Sequence, residues 1–172
     1  MSESLKFIKK SSTTSATSSL EVTDCFSSSY DVYKVIFEIN SMTAEGVIAV
    51  RLIDGSGVDS TANYDYAIKH IKDTTSSSES RVTGNTSWNN IWYGEGSVGG
   101  FVVMYVHNPY NSSSHTFMNY KNTGHYLASS TSTMYGGFGI GVHRVAEEIT
   151  GIAAIQTSSR LENANILVYG VE

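Results

Sequence analysis

Apolar and polar residues alternate with a period of two along most of this chain, which is the pattern of half-buried β-strands rather than of helices. Over 33–40, Tyr33, Val35, Phe37 and Ile39 point one way and Lys34, Glu38 and Asn40 the other. Ile36 is out of step, which suggests a second face that is partly covered. Ile48, Val50 and Leu52 form one face of 47–53, and that segment ends on the turn signal Asp54-Gly55-Ser56-Gly57. Tyr64, Tyr66 and Ile68 share a side of 64–71. The strongly apolar run 101–107 stops at Asn108-Pro109, and 115–120 alternates again. Segments 5–9, 20–26, 149–157 and 165–171 complete the predicted strands. Two stretches of mixed periodicity, 65–72 and 143–150, are short and poorly capped, so they read as strands or turns. Three Ser/Thr-rich patches, 11–19, 73–80 and 129–133, read as exposed loops. The expected architecture is all-β: an antiparallel β-sandwich of jelly-roll type with about eight to ten strands. It forms one domain over 1–172, with 1–19 as an N-terminal arm and loop.

Composition narrows the picture. With 40% hydrophobic residues and eleven tyrosines the chain is not of the disordered class, although only 16% of it is charged. The net charge of −5 and the scatter of Lys and Arg exclude the basic footprint that a nucleic-acid partner requires. The longest apolar run, 101–106, is far too short for a helical membrane span. The opening MSESLKFIKK has no apolar signal core, so the expectation is synthesis in a cytoplasm without export by that route and without a membrane partner. The sole cysteine, Cys25, rules out an internal disulfide and reads as a small core residue.

Candidate chemistry is sparse. Gly94-x-Gly96-x-x-Gly99 matches the dinucleotide-binding glycine pattern letter for letter, but such a loop must open a helix whose N-terminus meets the pyrophosphate. Here it opens the strand 101–107, so the glycines read as a reversal between strands and no cofactor is expected. The five histidines, His70, His107, His115, His125 and His143, show neither the i, i+4 nor the i, i+2 spacing of a paired metal site. Glu147 and Glu148 would point to opposite faces of a strand. Asp54, Asp59 and Asp65 do not fit a calcium-binding loop, and no Gly-x-Ser-x-Gly elbow is present. No catalytic, cofactor or metal residue is therefore assigned. Trp88, Trp92, Tyr93 and Tyr110 suit a core or a protein interface better than a carbohydrate platform. Phe7 and Ile8, on the first strand, are expected to dock on a neighbouring subunit or on the shell.

The stretch Phe26-Ser27-Ser28-Ser29-Tyr30-Asp31-Val32-Tyr33-Lys34-Val35 resembles an opening found in small virion proteins of tailed bacteriophages. Tyr64-Asp65-Tyr66, the strand end Val106-His107-Asn108-Pro109 and the closing Asn165-Ile166-Leu167-Val168-Tyr169-Gly170-Val171 follow in the same order. The resemblance covers nearly the whole chain. It implies a β-sandwich of the phage particle with no enzymatic role, located in the virion. The expected function is capsid decoration: a cement protein, homo-oligomeric and preferentially trimeric, bound to the major capsid protein or another virion protein. The alternatives are a receptor-binding or structural module of the tail, neck or fibre, with cell-surface glycan as partner, and, remotely, a cupin-like metal enzyme.

Overall fold

The computed structural model describes residues 4–73, 77–94, 96, 98–128, 131–156 and 158–172, by backbone alone for 126–128 and 131–133. Among the described residues, thirteen strands form two antiparallel sheets and no helix occurs. The larger sheet has eight strands, in the spatial order β1 (Leu5–Thr13), β13 (Leu161–Val171), β3 (Val32–Met42), β9 (Gly100–His107), β10 (His115–Ala128), β11 (Thr131–Ala146), β6 (Tyr64–Lys72) and β7 (Ser77–Asn85). The smaller sheet runs β2 (Ser19–Val22), β12 (Gly151–Gln156), β4 (Gly46–Asp54) and β5 (Gly57–Val58), with β8 (Trp88–Gly94) also paired to β4. This is the all-β antiparallel sandwich that the alternation predicts.

The core lies between the sheets. Tyr33, Val35 and Phe37 of β3, Val102, Met104 and Val106 of β9 and Ile166 and Val168 of β13 are buried from one side. Ile48, Val50 and Leu52 of β4 and Ile152 and Ala154 of β12 meet them from the other. Trp88 and Trp92 are inaccessible to solvent and are the largest fully buried side chains of this layer among the described residues. Their indole N–H groups cross it, donating to the Val142 carbonyl at 3.4 Å and the Thr123 carbonyl at 3.2 Å. A buried indole needs such a partner, and these two bonds tie the layers together.

Several expectations are corrected. Residues 11–19 are not one loop, because β1 continues to Thr13 and β2 begins at Ser19. Of the stretch expected as an N-terminal arm and loop, residues 1–3 lie outside the described residues and Leu5–Thr13 form β1, laddered to β13 from Leu5↔Val171 to Thr13↔Ala164. In the patch 73–80, residues 74–76 lie outside the described residues and β7 starts at Ser77. In 129–133, residues 129 and 130 lie outside them and β11 starts at Thr131. The strand count exceeds the expected range because β5, β7 and β8 carry little or no apolar alternation and are held by pairing with neighbours.

Candidate functional site

The glycine pattern that imitates a nucleotide loop has a packing role. A Cβ on Gly94 would stand 1.9 Å from Trp92 Cη2, and one on Gly100 or Gly124 would stand 2.5 Å from Trp92 Nε1. These three glycines form the pit that receives the Trp92 indole. Gly96 adopts φ +49°, in the left-handed region that glycine tolerates at no cost. The segment leads into β9, so no helix dipole is available for a phosphate.

The outward face of the eight-stranded sheet is the most distinctive surface. Every large apolar side chain left substantially exposed among the described residues lies on it: Leu5, Phe7, Ile71, Phe101, Phe117, Met134, Phe138 and Ile140, each 42–64% accessible. Strand register sets them in rows across the sheet. One row runs Leu167, Ile36, Val103, Lys121, Phe138 and Lys69; the next runs Tyr169, Lys34, Tyr105, Asn119, Ile140 and Ala67. Strand β11 is responsible for much of this. Its inward positions 137, 139 and 141 are glycines, and a Cβ on Gly139 would stand 2.5 Å from Ile68 Cγ2 and 2.6 Å from Tyr120 Cε1. The space is already taken by neighbouring side chains, so the apolar residues of this strand, Phe138 and Ile140, point into water. The segment 136–141 is therefore part of an interior sheet strand between β10 and β6. Beside it runs a groove of about 580 Å³ lined by Ala67, Val82, Phe117, Ile140 and Val142.

Charges on this face are few or internally paired. Along the flank, Arg144 contacts Asp65 at 3.2 Å, while Lys69 and Arg81 contact Glu79 at 3.5 and 3.4 Å. The two rows above carry Lys34 and Lys121 besides the paired Lys69, and Glu38 stands in the adjacent row opposite Phe101.

A second cluster was invisible to sequence reasoning. His143, with no exposed surface, donates from Nε2 to Asp59 Oδ2 at 2.7 Å, and its Nδ1 lies 3.6 Å from Glu147 Oε1. Burial by itself would raise the Asp59 carboxyl. The Thr61 amide and hydroxyl and His143 outweigh it and hold the group below the usual carboxylate range. Burial raises Glu147, against a partial opposing pull from His143. Tyr64 packs its ring on His143 at 4.7 Å and takes the Leu52 amide hydrogen at 3.0 Å. The three potential ligands converge, but 2.7 Å between His143 Nε2 and Asp59 is a hydrogen bond; an ion there would need about 2 Å to each atom. With His143 fully covered, the pair presents no atom to a substrate. Its evident work is to join β11 of one sheet to the segment after β5 of the other.

The sequence-predicted interaction residues separate. Trp88 and Trp92 are fully buried, which is the core alternative expected for them, so neither is a contact residue of an interface or part of an aromatic platform for glycan. Ile8 is half-buried against the core, whereas Phe7 is exposed and packs edge-on against Tyr169 at 5.6 Å on the outward face. Tyr93 is half-buried, with its ring 5.8 Å from that of Tyr135. Tyr110 is half-buried beside Ser27, Tyr30 and Asp31, away from the sheet face. Cys25 is buried, and burial pushes its thiol up to about 12, with Lys9 pulling slightly the other way.

No family model matches the chain, and no curated protein matches it. Among solved structures, a marine PL-14 alginate lyase from Aplysia kurodai is similar at 5% identity and a TM-score of 0.33, over 90% of this chain and 82% of that one. A likeness that slight assigns neither activity nor ancestry.

Proposed function

We propose that the protein is a non-enzymatic structural component of a tailed-phage particle, a decoration module that works by adhesion. The single observation carrying the adhesive reading is the outward face of the large sheet, where eight large apolar side chains stand in water on one surface. The largest apolar patch on a typical lone monomer is about 300–600 Å². The order of motifs from Phe26 to Val171 supplies the virion part of the reading. A protein of this kind stabilises a shell by mass action, because it binds the assembled form and not the dissociated subunits. Mass spectrometry of purified particles encoding the chain tests it. A copy number comparable with that of the major shell subunit is expected. Copies matching a single tail structure would move the module to the neck, tail or fibre, and absence from the particle would overturn the reading.

A further inference from the structure

We infer that the outward face of the eight-stranded sheet is occupied by the same face of a second copy of this chain, forming an isologous face-to-face dimer. The inference rests on the adhesive part of the reading above and not on a place in a virion: it assigns this face to self-association, so that contact with a shell falls to other surfaces of the dimer.

Area is the first argument. At about half exposure, side chains of this size each leave roughly 100 Å² in water, so the eight together present roughly 800 Å², the contribution of one partner to a standard stable interface. The second is charge. The flanking ions are already paired within the chain, and the face holds both signs, Lys34 and Lys121 in the two rows above and Glu38 in the adjacent row opposite Phe101. Such a face does not repel its own copy, and it offers no single-signed field that would select a strongly charged partner. The third is relief. The protruding Phe138, Ile140 and Met134 and the apolar groove walled by Val82, Phe117 and Val142 lie on one surface. An isologous contact needs one patch to supply both knobs and hollows. None of the eight side chains lies on the small sheet, whose outward β2 positions are Ser19 and Glu21.

Light scattering and sedimentation velocity of the purified chain over a concentration series provide the test. The wild type should form a reversible dimer. Ile140→Lys, and separately Phe138→Ser, should raise its dissociation constant at least about thirtyfold, the weakening expected when an interface hot spot is lost. Glu21→Lys, on the other sheet, should leave it unchanged. Far-ultraviolet circular dichroism should stay that of the wild type, because both substituted side chains point to solvent. If either variant fails to fold, the wild type alone decides through lysine acylation read by mass spectrometry. Lys121 should become protected as concentration rises while Lys9 does not, and equal labelling of the two at all concentrations would overturn the inference. A wild type monomeric throughout, a dimer indifferent to both face substitutions, or a closed trimer would each overturn it as well. None of these results changes the particle count expected above, so the two proposals fail separately.

Discussion

Glycine 139 shows how much of this fold depends on what a residue lacks. Its missing Cβ leaves room for Ile68, Tyr120 and the Ala67 carbonyl oxygen, which would lie 2.5, 2.6 and 2.9 Å from it. Gly139→Ala should therefore destabilise the protein by about 1–3 kcal/mol through overpacking. Gly55→Ala provides the contrast: nothing lies within 4 Å of its added Cβ, so the change should be near neutral. Urea midpoints at constant slope measure both, and an unaffected Gly139→Ala would refute the packing account. The same logic explains why Gly94 and Gly96 mislead as a motif. They satisfy one indole and one turn, and the spacing that imitates a phosphate loop follows from those two demands.

The strands differ in how far their own sequences announce them. The inward sides of β3 and β6 can be read from the alternation of large apolar with mostly polar residues, and that of β4 from Ile48, Val50 and Leu52. Strand β9, however, is apolar on both sides, with Phe101, Val103 and Tyr105 facing out. Strand β11 defeats that reading by inverting it, with Gly137, Gly139 and Gly141 inward and Phe138 and Ile140 outward. Period-two analysis assigns the larger residues to the core, so the exposed face cannot be inferred without the neighbours that occupy the space. Strand β7, SSESRVTGN, has almost no apolar side and exists through its ladder with β6. Strand β1 carries a prediction of its own. It is an edge strand laddered to β13, with Ile8 against the core. Deleting residues 1–10 should lower the melting temperature and promote association through the uncovered β13 edge. An unchanged melting temperature would mean that β1 is a dispensable appendage.

Across the whole molecule, the Asp59–His143–Glu147 cluster is where the two layers meet through ionisable groups. Asp59 and His143 are 84 positions apart, and only the sandwich topology brings them together. For this reason the pair left no trace in the sequence pattern, whereas the class of fold did. Its effect on stability has a defined sign. Asp59 is held below its ordinary value, so its contribution is fully present above the unfolded carboxylate pKa and is lost as pH falls through the folded value. Glu147 is held above its ordinary value, so its contribution is present at low pH and is lost as pH rises through the raised value. Asp59→Asn should lower stability near neutrality by about 1–3 kcal/mol, because His143 loses a charged acceptor, and should flatten the acid limb of the stability profile. Glu147→Gln should instead flatten the fall above the ordinary carboxylate range. Denaturant titrations at stepped pH separate the two, and parallel profiles for wild type and Asp59→Asn would dismiss the tie.

Strand β11 has one more consequence, and it concerns heredity. Its core-facing positions leave almost no tolerance for change, while Phe138 and Ile140 can be exchanged without disturbing what lies beneath them. Lineages could thus revise what this surface sticks to, or abandon stickiness altogether, through single codon changes that leave folding intact.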